Sequence, residues 1–102
     1  MSKLGAMVTE DIRLSILQIL DFDPDYANNS HIIRGALEQL GHNVSNDKVA
    51  TELAWLSESS LVTVQNLVVL DKPVLMAKLT SRGQDVALGR VRVPGVARPR
   101  PE

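Results

Sequence analysis

The sequence predicts one mainly α-helical domain with a β-hairpin: three helices, a two-stranded hairpin, a short fourth helix and an extended tail. Three observations lead to this fold class. Apolar residues recur at helical spacing in three segments of the first 60 residues. Two apolar, β-branched runs follow, separated by a polar turn. Residues 79–87, LTSRGQDVA, then read as a strand that runs directly into a capped helix.

The first helix is predicted over about residues 9–20. Thr9 is its expected N-cap, and Pro24, in the aspartate-rich loop that follows, forbids its continuation. We expect Phe22 and Tyr26 to anchor that loop to the core. The predicted apolar stripe consists of Ile12, Ile16, Ile19 and Leu20.

Two further helices are predicted on either side of a short turn, an arrangement typical of helix-turn-helix motifs. Asn29 or Ser30 begins the second helix and Gly41 supplies the left-handed residue after it, while Ser45 caps the third. Val44, within the turn, is expected to fill a core position. The predicted core residues are Ile33, Ala36, Leu37 and Leu40 in the second helix, and Val49, Leu53 and Leu56 in the third.

The hairpin is predicted from the runs 61–70 and 74–79, with Asp71-Lys72-Pro73 as its turn. Thr80 is the expected cap of the fourth helix. Gly83 follows at a position where a side chain would hold that helix away from neighbouring backbone. Together with the three helices, the hairpin completes the element order of a winged helix-turn-helix domain. We assign residues 1–89 to this domain and residues 90–102 to a basic, proline-containing extended tail.

Composition excludes several classes of protein. The chain of 102 residues has no cysteine, so it has no disulfide framework, thiolate nucleophile or cysteine-based zinc site, and a reducing cytoplasm is the expected location. No apolar run is long enough to span a membrane. His31 and His42 lack a carboxylate at fixed spacing, and no phosphate loop or catalytic motif is present. We therefore expect neither an enzyme nor a metal or cofactor site.

Several short motifs carry a resemblance to known proteins: the Asp23-Pro24-Asp25-Tyr26 loop, residues 54–58 with Leu61-Val62, the LTSRGQDVA junction and the closing GVARPRP. On these motifs the chain resembles the winged-helix superfamily, and more narrowly small proteins of Mu-like phages and prophages, some of them labelled ArdK-type transcriptional regulators. The resemblance implies a winged-helix fold and a phage or prophage setting. Fold alone does not establish function.

Charge is distributed unevenly along the chain. Residues 1–60 carry four Lys/Arg against nine Asp/Glu, whereas residues 61–102 carry seven against three. In a DNA-reading winged helix the third helix enters the major groove. Here its predicted outer face, Lys48, Thr51, Glu52 and Trp55, belongs to a helix with more carboxylates than cations. Trp55 is expected either to pack in the core, the interpretation we favour, or to lie at an interface.

Two functions follow from this distribution. The first is a dimeric phage regulator that binds double-stranded DNA with limited groove contact, its wing and tail supplying phosphate affinity. Its candidate DNA contacts are Asn46, Lys48, Thr51, Lys72, Arg82, Arg90, Arg92, Arg98 and Arg100. The second is a module that binds a phage or host protein, or a second copy of itself, without DNA binding. Its candidate interface residues are Leu67, Val69, Leu70, Val91 and Val93, because the distal hairpin is apolar on both faces.

Overall fold

The computed structural model describes residues 2–100, which form four helices and one three-stranded antiparallel sheet. In chain order these elements are α1 (Lys3–Phe22), β1 (Ala27–Asn29), α2 (Ser30–Gln39), α3 (Asn46–Glu58), β2 (Val62–Val69), β3 (Lys72–Leu79) and α4 (Ser81–Ala87). The fold is therefore mixed α/β, with one strand more than the sequence predicts. Pro101 and Glu102, which belong to the predicted tail, lie outside the described residues, as does Met1.

Helix α1 begins two turns earlier than predicted. The side chain of Ser2 caps it by accepting a hydrogen bond from the backbone N–H of Gly5 at 3.0 Å, so Thr9 lies within the helix. The early start follows from the sequence, since residues 3–8 contain no proline and Ser2 is a good N-cap. The buried residues of α1 include Ile12, Ile16 and Leu20. No helix within residues 2–100 has the length and hydropathy needed to cross a membrane.

The loop after α1 contradicts one prediction. Phe22 is 92% exposed and Tyr26 is also exposed, so neither anchors the loop to the core. Asp23 organises the loop instead, because its carboxylate accepts hydrogen bonds from the Asp25 N–H and the Asn28 side chain. The chain then forms β1, which sequence patterning misses because Ala-Asn-Asn has low strand propensity.

Helices α2 and α3 begin at the predicted caps. The Asn29 side chain accepts from the Ile32 N–H and the Ser45 side chain from the Lys48 N–H. Gly41 adopts the expected positive φ, at 93°. Leu37 of α2 is buried, whereas Leu40, the C-cap residue that follows the helix, is mostly exposed, contrary to its predicted place in the core.

The hairpin turn lies at Leu70-Asp71, so it begins one residue before the predicted turn of residues 71–73 and is one residue shorter. Val69 pairs with Lys72, and both turn residues have positive φ, as a two-residue hairpin turn requires. Lys72 and Pro73 therefore belong to β3. Strand β3 is central in the order β1-β3-β2, but β1 pairs only with residues 76–78. Pro73 thus breaks no pairing with β1, although it lacks an N–H.

The strand-to-helix junction agrees with its prediction. Thr80 caps α4, its hydroxyl oxygen accepting from the Gly83 N–H at 2.9 Å and its O–H donating to the Ser60 carbonyl at 2.8 Å. Gly83 lies directly against the backbone carbonyl of Leu61. The junction therefore joins α4 to the end of α3 and the start of β2 by close backbone contact.

Candidate interaction surfaces

Glu52, predicted to lie on the outer face of the third helix, is buried, with only 2% of its surface exposed. Its Oε1 lies 2.7 Å from Nε of Arg13 on α1, and its Oε2 lies 2.8 Å from Nζ of Lys48. Burial raises the pKa of Glu52, but the hydrogen bonds and positive charges of Lys48 and Arg13 outweigh it, so the pKa falls below its ordinary value. The carboxylate is charged and holds α1 against α3.

Helix α3 consequently presents a different face to solvent. Its exposed residues include Asp47, Thr51, Ala54 and Glu58, and the Thr51 hydroxyl donates to the backbone carbonyl of Asp47. Lys48, the only cation of α3, is engaged with Glu52. The outward face of this fully described helix is therefore acidic, with Asn46 exposed at its start. Such a face repels a phosphate backbone.

Trp55 packs against the core beneath the C-terminal segment. The guanidinium of Arg13 lies over its ring, 3.9 Å from the centroid, and Nη1 of Arg13 donates to the carbonyl of Gly95 at 3.0 Å. Val96 is buried, and the Ala97 N–H donates to the carbonyl of Glu10. Residues 93–97 therefore cover α1 and α3 and form part of the folded domain.

Gly95 allows this packing. It has a φ of +96°, and a Cβ added there would lie 2.6 Å from Cζ2 of Trp55. We expect Gly95→Ala to lower the free energy of unfolding by about 2–3 kcal/mol, through backbone strain and displacement of Trp55. Urea unfolding followed by the fluorescence of the single tryptophan measures both effects.

Gly41→Ala is the matched control. Gly41 also has a positive φ, +93°, but nothing lies within 4 Å of its added Cβ. We expect it to cost only about 1 kcal/mol, with unchanged tryptophan emission. Equal losses for the two variants would contradict close packing of Gly95 on Trp55.

The predicted DNA-contact cations are dispersed over the molecule. Arg98 and Arg100 line a groove of about 400 Å³ with Asp11 and His42. Lys72 lies instead on the hairpin, where it lines a shallow pocket with Val69 and Leu70. The remaining cations are Arg82, which donates to the Ser59 carbonyl, Arg90, paired with Asp85, and the exposed Arg92.

His42 has a partner that its sequence spacing does not reveal. Its Nε2 lies 2.7 Å from Oδ2 of Asp11, thirty-one residues earlier, so the expectation that it lacks a fixed carboxylate is wrong. The pair joins the turn between α2 and α3 to α1. Within residues 2–100, histidines and carboxylates form no cluster of three or more that could hold a metal ion.

The distal hairpin has little cover. Leu70, at the turn, is 90% exposed and Val68 is 75% exposed, while Val69 is about half exposed. Leu67 is half-buried and pairs with Val74 across the strands, on the same face as Val69. Apolar side chains thus extend from both faces and from the turn. Of the other predicted interface residues, Val91 is exposed and Val93 packs partly against the core.

Sequence patterning misses a second apolar surface, between α1 and α2. A groove of about 450 Å³ lies there and is lined by Gln18, Ile19, Phe22, Ala36, Gln39 and Leu40. Helical spacing assigns Ile19, Ala36 and Leu40 to the core. Instead they line an open groove between α1 and α2, an arrangement that residue periodicity alone does not show.

Comparison with known proteins places this fold in a phage setting. Over 98 residues the chain is 50% identical to the uncharacterized protein gp26 of Escherichia phage Mu, covering 96% of this chain and 97% of that protein. The chain belongs to the phage Mu gp26 family. An uncharacterized protein of Haemophilus influenzae is 39% identical over 61 residues, which cover 60% of this chain and 59% of that protein. No family model matches the sequence.

Proposed function

We propose that this member of the gp26 family is a winged-helix module that binds another protein of the phage or its host through the distal hairpin. The order of α1, a short strand, two helices and a hairpin supports the winged-helix assignment. The exposed apolar end of the hairpin is the observation that carries the function. The acidic outer face of α3 supports a partner other than DNA.

The hairpin offers a partner two kinds of contact: apolar side chains that can be buried, and an edge strand with which a partner can pair. Val68, Val69 and Leu70 are adjacent, mostly exposed and apolar, and burying side chains of this size is favourable by about 1.5–3 kcal/mol each when complete. Exposed contiguous apolar surface on a small protein typically marks a contact site. Strand β2 is also an edge strand, so a partner can pair with its free backbone groups.

Leu70→Asp tests this function without disturbing the fold. Leu70 has a φ of +51°, a conformation that aspartate adopts more readily than leucine, so the variant is expected to keep its stability. We expect the immobilised wild-type chain to retain a specific protein from the lysate of bacteria that produce a phage encoding this chain. Once that protein is purified, Leu70→Asp should bind it at least about 10-fold more weakly than the wild type does.

Phe22→Asp is the matched control, since Phe22 is equally exposed but lies at the groove between α1 and α2. It should bind the purified protein as the wild type does. Equal binding by Leu70→Asp and the wild type would contradict a role for the hairpin.

DNA binding by a transcriptional regulator is the second candidate. One observation favours it: within residues 2–100, Lys72, Arg92, Arg98 and Arg100 form no ion pair with a carboxylate. Arg98 and Arg100 also share a groove, and paired arginines suit phosphate. Titration with double-stranded DNA at low ionic strength distinguishes the two functions, because phosphate contacts are strongest there.

A further inference from the structure

Strand β2 forms an unprotected edge of the sheet. In the order β1-β3-β2 it pairs only with β3, over all of its 8 residues and in a register without a bulge. Its sequence, VTVQNLVV, contains no charged residue and no proline. Soluble proteins commonly protect an edge with charges, prolines, bulges or a very short strand, and β1, at the opposite edge, has only 3 residues. Strand β2 is therefore the edge at which another strand can add.

The backbone groups of β2 alternate between the two sides of the strand. The Thr80 N–H donates to the carbonyl of Leu61, the residue directly before β2, at 3.1 Å. At the other end, Val69 and Lys72 flank the two-residue turn, where a hydrogen-bonded pair is expected. Since hydrogen-bonded pairs recur at every second residue, the odd-numbered residues of β2 bond to β3. The N–H and C=O groups of the even-numbered residues point outward from the edge.

Three of the outward-facing residues are accessible. Val62 is covered, with 1% of its surface exposed, whereas Val64 is half-buried, Asn66 is exposed and Val68 is 75% exposed. Within residues 2–100, no hydrogen bond joins the outward backbone groups of residues 64, 66 and 68 to another part of the chain. The accessible edge thus extends from Val64 to Val68, and Asn66 is its centre.

We propose that two copies of this chain pair antiparallel along this edge, with a two-fold axis at Asn66. Asn66 of each copy then lies opposite its equivalent, and Val64 lies opposite Val68 of the second copy. The two-fold axis makes the contact between Val64 and Val68 occur twice, as an isologous dimer requires. The outward backbone groups of the accessible edge all gain partners, and the two three-stranded sheets join into one continuous sheet.

The side chains of this edge complement themselves. Val64 packs partly against the core, whereas Val68, on the same face of the strand, extends beyond it. In the proposed register, Val68 of one copy lies beside Val64 of the other and continues its apolar face. On the opposite face Leu67 lies opposite Gln65, and the two Asn66 amides meet at the axis, where each can donate to the other. No charge opposes the contact, so the edge favours a second copy over a different strand.

The dimer contact is distinct from the contact proposed at the hairpin turn. A second copy occupies the backbone edge of β2, whereas the Leu70 side chain, at the turn, and the Val69 side chain, on the other face, stay available to a different protein. The oligomeric state and the binding of a different protein are measured separately. Either contact can therefore be absent while the other is present.

Sedimentation velocity of the full chain over a range of concentrations measures the association. We expect a concentration-dependent dimer. Asn66→Asp places two carboxylates opposite each other at the axis and should raise the dissociation constant at least about 5-fold. Gln39→Glu, the control, makes the same change of amide to carboxylate on the exposed surface of α2 and should leave the dissociation constant unchanged. A monomer at all concentrations would overturn the proposal, as would equal dissociation constants for the wild type and Asn66→Asp.

A mixture of two charged variants tests the position of the axis. Asn66→Asp and Asn66→Lys should each dimerise weakly, because like charges then meet at the axis. An equimolar mixture should form a heterodimer about as tightly as the wild type forms its dimer, since the two charges are opposite. A mixture that associates no better than either variant alone would contradict an axis at Asn66.

Disulfide trapping tests the register. The chain has no cysteine, so Asn66→Cys introduces the only thiol. Opposite residues of a hydrogen-bonded antiparallel pair have Cα atoms about 5.5 Å apart, within the range of a disulfide. Thr63→Cys is the matched control, because in this register the two Thr63 positions lie about 20 Å apart along the strands. We expect mild oxidation to give a covalent dimer of Asn66→Cys and far less of Thr63→Cys, and similar yields from both would refute the register.

Discussion

Gly83→Ala is expected to lower the free energy of unfolding by about 3 kcal/mol or more, a larger loss than Gly95→Ala or Glu52→Ala should cause. A Cβ at this position would lie 2.0 Å from the backbone carbonyl oxygen of Leu61 and 2.8 Å from Cδ1 of Leu79. The Leu79 side chain can move, but the Leu61 carbonyl belongs to the backbone that enters β2. Helix α4 must therefore shift away from the sheet. Thermal unfolding should show a fall of roughly 15 °C in Tm.

Gly35→Ala is the control for the change of residue type. Gly35 lies within α2, and its added Cβ would have nothing within 4 Å. Alanine favours helix over glycine, so this variant should gain about 0.5–1 kcal/mol. A Gly83→Ala protein with wild-type stability would contradict the close packing of α4 on the backbone of Leu61.

Glu52→Ala is expected to cost about 2–3 kcal/mol, the second large effect. The change removes the buried carboxylate that Arg13 and Lys48 share and leaves a cavity between α1 and α3. The Lys48 side chain is partly exposed, so its ammonium group can be hydrated in the variant. The loss of stability is therefore smaller than for breaking an ion pair between two fully buried groups. Glu58→Ala, in the exposed last turn of the same helix, should change stability by less than about 0.5 kcal/mol. Urea unfolding of both variants at neutral pH gives the comparison.

Acidic pH should reduce the contribution of Glu52 to the free energy of unfolding. Its pKa in the folded protein lies below the ordinary value of 4.5, so the unfolded chain takes up the proton first as pH falls. The stabilisation is therefore complete above about pH 4.5 to 5 and is lost as pH falls through the folded pKa. The difference in stability between the wild type and Glu52→Gln should shrink between pH 6 and pH 3. A difference that grows over this interval would contradict the direction of the pKa change.

The starts of α2, α3 and α4 are predicted well from the sequence, because they depend on residues that are close together along the chain. Asn29, Ser45 and Thr80 cap helices as expected, because a cap depends on residues only three positions away. The role of Gly83 is also predictable, from its place just after a strand. The position of the hairpin turn is harder to predict. Leu70 adopts a positive φ, which leucine seldom does, so the sequence does not indicate a turn there.

The site residues depend on contacts distant in sequence, which a single sequence does not reveal. Glu52 is charged and four positions after Lys48, so it reads as half of a surface ion pair. Only the fold brings Arg13, thirty-nine residues earlier, onto its other oxygen. Phe22 is the opposite case, an aromatic residue expected in the core that the fold leaves exposed. Both errors concern residues at the edge of the core, where helical periodicity alone does not show whether a side chain is buried or exposed.

We propose that this domain contacts its partner through apolar surface, because the fold pairs Lys48 with Glu52 and leaves the outer face of α3 acidic. Fluorescence anisotropy of a labelled random-sequence duplex, titrated with the full chain at low ionic strength, distinguishes such contact from binding to the phosphate backbone. We expect no saturable binding, and no change on Lys48→Ala or Arg98→Ala/Arg100→Ala. Binding that weakens steeply with salt and is reduced by Lys48→Ala or by the double arginine variant would contradict the claim.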